Sequence, residues 1–179
     1  MDKSRDVLVV VDMQNDFIDG DLGSAEAKSI LDNVCKKIES WEGIVVFTMD
    51  THGEDYLDTN EGKHIPVAHC IKNSYGWRLN DKVEATKGKL KSGYITVEKG
   101  TFGSKEVTDI VKNMHSNTVE LVGLCTDICV ISNAMILRST LPEVNIIVDA
   151  SCCAGVTPES HNIALAAMKM CCIEIKNTD

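Results

Sequence analysis

The segment Asp6–Val11, apolar at every position from Val7 onward and halted by Asp12, constrains this chain more than any other. A strand without polar positions must be covered on both faces, as the inner strands of parallel sheets are. Related runs recur at Gly43–Thr48, Val119–Gly123 and Val144–Val148, with shorter ones at Tyr94–Val97 and Ile173–Ile175. Between them lie stretches with helical character. Ser24–Trp41 carries Ile30, Val34, Ile38 and Trp41 at helical spacing, with Ser24 as N-cap. Ser104–Met114 and Asp127–Arg138 follow, and Thr157 with Pro158 opens a helix running to about Met170. Only Asp50–Trp77 forms a long polar connection, and connections of that length are more often functional than idle. The alternation predicts an α/β fold, a three-layer α/β/α sandwich with a mainly parallel sheet. Such sheets gather their sites at the carboxyl ends of the strands. The whole chain, 1–179, is read as one domain with a substantial core.

Composition narrows the function. A net charge of −9 without a Lys/Arg cluster argues against a nucleic-acid partner. No apolar run approaches the roughly 20 residues that cross a bilayer. Met1-Asp-Lys-Ser-Arg5 leads straight into the first strand without a signal peptide, so a cytoplasmic protein with no membrane partner is expected. Eight cysteines should then remain thiols. Cys125 and Cys129 form a C-x3-C pair, and no second pair at C-x2-C spacing suggests a zinc ribbon. Most of the eight read as small buried hydrophobes.

Cys129 stands apart. A strand at Thr118–Gly123, the turn Cys125-Thr126-Asp127 and a helix from Ile128 place it on a first helical turn. Unpaired backbone N–H groups and the helix dipole there favour a thiolate. Asp12, ending an apolar strand, is a partly desolvated carboxylate suited to proton exchange near neutral pH, although a cap on the next turn fits the same position. Lys99 would stabilise both anions if buried between them, and alone it reads as a solvated lysine. Asp50-Thr-His52 puts two ligand-type side chains on one side of an extended segment. His69 and Glu61 would complete a mixed imidazole and carboxylate set suited to Zn²⁺, Fe²⁺ or Mn²⁺ in an open site. The spacing alone fits solvated loop histidines equally well. His64 is a rival in the same loop, while His115 and His161 have no ligand-like company.

In series, Asp12-x-Gln-x-Asp-Phe17, Asp50-x-His52, Pro66-x-x-His69-Cys70, Lys99 before Phe102, and Gly123-x-x-Thr126-Asp127-x-Cys129-Val130 resemble the isochorismatase-like cysteine hydrolase superfamily. The resemblance spans nearly the whole chain, and the metal-type segment draws it toward the nicotinamidases. It implies a triad of Asp12, Lys99 and Cys129, and a cis peptide between Leu124 and Cys125. The Cys125 and Cys129 N–H groups would then form an oxyanion hole. It further implies a divalent metal, zinc first and iron or manganese next, on Asp50, His52 and His69 with Glu61 as fourth ligand. Phe17, Trp77 and Leu124 are the implied substrate wall. The implied reaction takes a small amide, nicotinamide, to nicotinate and ammonia through a Cys129 thioester, in a homo-oligomer. Two departures bear on the substrate rather than the ligands: Thr51 replaces the tryptophan common in nicotinamidases, and Cys70–Gly76 lacks the usual Gly-Thr pair. The alternatives are a metal-independent C–N hydrolase acting on N-carbamoyl or ureido compounds, and a catalytically silent binding protein.

Overall fold

The computed structural model describes residues 5–178. In chain order the elements are β1 (Val7–Val11), α1 (Asn15–Ile18), α2 (Ala25–Ser40), β2 (Ile44–Asp50), α3 (Asn60–His64), α4 (Asp81–Thr86) and β3 (Tyr94–Lys99). They continue with α5 (Lys105–Asn113), β4 (Thr118–Leu124), α6 (Ile131–Thr140), β5 (Asn145–Ala154), α7 (Pro158–Met170) and β6 (Glu174–Lys176). The strands form one sheet in the order β3-β2-β1-β4-β5-β6, with every pairing parallel. The uniform apolarity of β1 has a direct cause in this arrangement. Val7, Val9 and Val11 enter one core with α5, α6 and α7 residues such as Val111, Leu137 and Met168. Leu8 and Val10 enter the other, beside Val34 and Ile38 of α2 and Val83 of α4. The helix starts are fixed as their sequences suggest. Ser24 Oγ accepts the Ala27 N–H at 3.0 Å, a contact whose loss typically costs about 1 kcal/mol. Thr157 and Ser160 cap α7 reciprocally.

Several boundaries differ from the sequence expectation, and each difference moves the site. β2 and β3 run further than expected, so Asp50 and Lys99 are terminal strand residues and direct register partners. β5 continues to Ala154 through a bulge: Leu121 pairs with Val148, whereas Gly123 pairs with Cys153. The long connection after β2 holds α3 and a 3₁₀ turn at Tyr56–Asp58. The helix expected from Asp127 begins instead as a widened π turn, Thr126–Val130.

The strand order reverses between β1 and β4, which is where open parallel sheets form their ligand crevice. Asp12 leaves β1 there, and the Cys125–Cys129 turn leaves β4. Gly123 makes the close approach possible, because at its φ of 114° an added Cβ would lie 2.1 Å from the Val11 carbonyl oxygen. The Leu124–Cys125 peptide that follows is cis.

Candidate active site

Asp12, Lys99 and Cys129 meet at this crevice, each 5% exposed or less. Asp12 adopts a left-handed φ of 47°, which a short acidic residue tolerates better than most. Thr48 Oγ1 donates to Asp12 Oδ1 at 2.6 Å and accepts the Asp12 N–H at 3.2 Å. Lys99 Nζ stands 2.7 Å from Asp12 Oδ2, 3.4 Å from Asp50 Oδ1 and 3.6 Å from Cys129 Sγ. The first of these is the shortest contact that Lys99 makes, an ion pair with the Asp12 oxygen that Thr48 does not hold.

Burial raises the Asp12 carboxyl above its ordinary range, with Lys99 opposing. Burial works to lower the Lys99 pKa, but Asp12 and the other neighbouring anions outweigh it and hold the ammonium charged. Burial and then Asp12 push the Cys129 thiol well above its ordinary range, against Lys99. Burial and Asp12 thus oppose the thiolate that the helix-start position favours. The turn does not turn all its donors toward sulfur: the Ile128 and Val130 N–H groups both donate to the Cys125 carbonyl, at 3.1 Å. The resting site therefore places the sulfur beside the Asp12–Lys99 pair, with burial and Asp12 favouring its protonated form.

Asp50 joins this group to a second one. Its Oδ2 lies 2.9 Å from His52 Nε2 and 3.4 Å from His69 Nε2, and Glu61 Oε1 lies 3.6 and 3.8 Å from the same two nitrogens. Donors about 2.1 Å from a shared tetrahedral ion would be roughly 3.4 Å apart, so the spacing fits a divalent cation. All four donor atoms fall within 4.8 Å of one another. His69 Nδ1 sits 2.8 Å from the Val67 carbonyl, an outer contact that directs Nε2 inward. Tyr56 packs against both imidazoles, 4.6 Å and 4.8 Å between ring centroids. Burial tends to raise the Asp50 carboxyl, but His52, His69 and Lys99 hold it well below the usual range. Burial and Asp50 raise Glu61. The rival His64 is exposed and bonds the Asn60 carbonyl at 2.8 Å through Nδ1, outside the quartet.

Both groups open on one cavity of about 470 Å³, whose lining includes Phe17, Asp50, Glu61, His69, Cys125 and Cys129. Phe17 is on its wall, but two other expected wall residues are not. Trp77 turns its indole N–H to Thr51 Oγ1 at 2.9 Å, so the threonine that replaces an aromatic residue also draws the nearest tryptophan away. Leu124 is 1% exposed and packs into the core. The wall is completed by Leu22, Ile65, Phe102, Ile128 and Val156, which sequence reading passed over except for the Phe102 motif position. Two buried supports were also missed. Thr48 holds Asp12, and Gln14 bridges the Asp50 and Trp77 carbonyls while accepting the Asp50 N–H. Their signal was faint: a threonine within an apolar strand, and the glutamine inside the Asp12–Phe17 motif.

The isochorismatase domain profile matches residues 6–179. A nicotinamidase/pyrazinamidase of Mycobacterium tuberculosis is 24% identical over 183 residues, covering 94% of this chain and 96% of its own. A pyrazinamidase of Pyrococcus horikoshii, solved in complex with zinc, superposes with a TM-score of 0.82 at 23% identity, over 96% of this chain and 98% of that one. An N-carbamoylsarcosine amidase of Thermoplasma acidophilum superposes with a TM-score of 0.75 at 24% identity, over 97% and 96%. At such identities the structural likeness establishes a common fold. No helix among the described residues is long and apolar enough to cross a membrane.

Proposed function

The chain belongs to the isochorismatase family, and from that premise we propose that it is a cysteine amidohydrolase converting nicotinamide to nicotinate and ammonia. The observation that carries this reading is a shared wall: the mixed His and carboxylate quartet opens on the same cavity as the Cys129 thiol, with Asp50 touching both groups. A divalent ion held by Asp50, His52, Glu61 and His69 would supply a Lewis-acid position for a ring nitrogen, and zinc suits those donors.

The protein's own groups account for the proton traffic. Asp12 takes the proton of Cys129, while Lys99 keeps its charge and compensates the thiolate. The sulfur attacks the carboxamide carbon, and the Cys125 and Cys129 N–H groups receive the oxyanion. Removing one such donor typically costs about 3–4 kcal/mol of transition-state stabilisation. Asp12 returns the proton to the departing nitrogen, so that ammonia leaves and a thioester remains on Cys129. Asp12 then takes a proton from water, whose oxygen displaces the sulfur, and the thiol is restored as the acid leaves.

The cavity's charge supports this substrate over an N-carbamoyl amino acid. Among the described residues no lysine or arginine lines it, while Asp50 and Glu61 do. Apart from an ion on the quartet itself, a substrate carboxylate would find no cationic side chain on this lining, whereas a neutral ring amide needs none.

Ammonia release from nicotinamide, pyrazinamide and N-carbamoylsarcosine tests the reading. The two ring amides should turn over, and Cys129→Ala should abolish turnover. Retained activity in that variant would remove Cys129 as nucleophile. A preference for N-carbamoylsarcosine that survives His52→Ala would point to the metal-independent hydrolase. No turnover of any amide, with Cys129 inert to a thiol-directed probe, would leave a binding protein.

A further inference from the structure

The cavity is larger than a single-ring amide requires, and its more exposed lining side chains are mostly apolar. About 470 Å³ falls within the roughly 300–1,000 Å³ that holds drug-sized ligands. The deep end is polar and buried: Asp50, His69 and Cys129 are at most 5% exposed. Leu22, Ile65, Ile128, Phe102 and Val156 make up most of the more exposed lining, beside Glu61 and Ser24, and Phe102 and Val156 are 37% and 57% exposed. Ser24 is the one hydroxyl on that lining among the described residues, and its oxygen already accepts the Ala27 N–H. An apolar rim on a polar, reactive pocket leaves apolar surface in water unless the ligand covers it.

We propose that this rim is a subsite for an apolar substituent, so that the preferred substrates are neutral aromatic carboxamides carrying a short alkyl group on the ring. The proposal rests on the hydrolase reading above. The amide and ring occupy the polar end against Cys129, and the substituent extends outward over Ile128 and between Leu22 and Val156. Affinity at the rim then comes from burial alone, which makes it tolerant of substituent shape and intolerant of charge. A three-carbon group that is partly covered should gain about ten-fold in kcat/KM, through KM.

The test compares nicotinamide with nicotinamide bearing a ring propyl group, using wild type, Leu22→Ser and Val156→Ser. The readout is the ratio of the two kcat/KM values, which is insensitive to a general loss of activity. The expected ratio is about ten in wild type, falling toward unity in both variants. Calorimetric affinities of the two amides for Cys129→Ala give the same ratio without turnover. A wild-type ratio at or below unity, or one that neither serine variant lowers, overturns the subsite. If wild type hydrolyses neither amide, the nicotinamide-hydrolase reading falls by itself, and the calorimetric ratio still decides for or against the subsite.

Discussion

Two lysines in this chain each stand between two carboxylates, and they do different work. Lys37 of α2 lies 2.6 Å from Glu120 of β4 and 2.7 Å from Asp149 of β5, pinning the helix to the sheet. Asp149 is further satisfied by Ser151 Oγ at 2.8 Å and Asn177 Nδ2 at 3.0 Å. Lys99 is divided among Asp12, Asp50 and the Cys129 sulfur at 2.7, 3.4 and 3.6 Å. Burial disfavours both ammonium groups, and the anions overcome it in both cases. Charge pairing therefore does not distinguish them. A closed network, its carboxylate held by further hydroxyl and amide donors, makes structure; an open one, placed next to a thiol and a cavity, keeps a carboxylate within reach of chemistry.

Replacing each lysine with methionine sharpens that contrast. Lys99→Met should lower kcat/KM roughly a thousand-fold, because the thiolate and the Asp12 base lose their shared cation. Lys37→Met should leave kcat/KM within about two-fold while reducing unfolding free energy by about 2–3 kcal/mol. That figure is below the usual 3–5 kcal/mol for a broken buried pair because the Lys37 side chain is 23% exposed. Steady-state kinetics well below each variant's Tm, together with urea unfolding, separates the two effects. If Lys37→Met lost activity as heavily as Lys99→Met, the distinction between closed and open networks would collapse. A smaller loss, about ten-fold in kcat/KM, is expected for Thr48→Val, which removes the hydroxyl that orients Asp12. An unchanged pH profile and rate in that variant would show that Asp12 does not need its support.

How much of this was legible follows from the range of each contact. β1 and β4 were readable because their apolar runs are continuous, and that continuity reflects burial on both faces of the sheet. Asp12, Lys99 and Cys129 were readable as residues at or beyond strand ends. Their meeting depended on the β1/β4 reversal, which topology rules make expected but periodicity does not encode. β5 was cut short at Val148 because Asp149 and Ser151 interrupt the apolar run, and the bulge that accommodates them is a matter of pairing. α4 was missed since only six residues form it, capped by Asn80 Oδ1 accepting the Lys82 N–H at 3.1 Å. The orientation of Trp77 depends on Thr51, 26 residues earlier, and no local pattern carries that information. The helix-start position that favours a Cys129 thiolate is local, whereas the burial and the approach of Asp12 that oppose it are not.

The smallest expected effect gives the comparison a sign. Burial tends to raise the Asp149 carboxyl, but the bonds from Lys37, Asn177 and Ser151 hold it below 3.8. The folded protein thus binds that proton less readily than the unfolded chain does. Its stabilising contribution is present above pH 3.8 and is lost as pH falls through the lower, folded value. Asp12 runs the other way. Raised by burial, it favours the folded state below its unfolded value and loses that contribution as pH rises through the folded one. Ionising Asp149 therefore favours the fold, where ionising Asp12 carries a cost, as a site that keeps a base desolvated must. Urea unfolding of wild type and Asp149→Asn, taken from about pH 6 down to about pH 3, measures the difference directly. The stability gap should be full near neutrality and shrink below pH 3.8. A gap that stays constant on acidification would mean that the Asp149 bonds give no preference for the ionised form, and the closed network would owe its stability to packing.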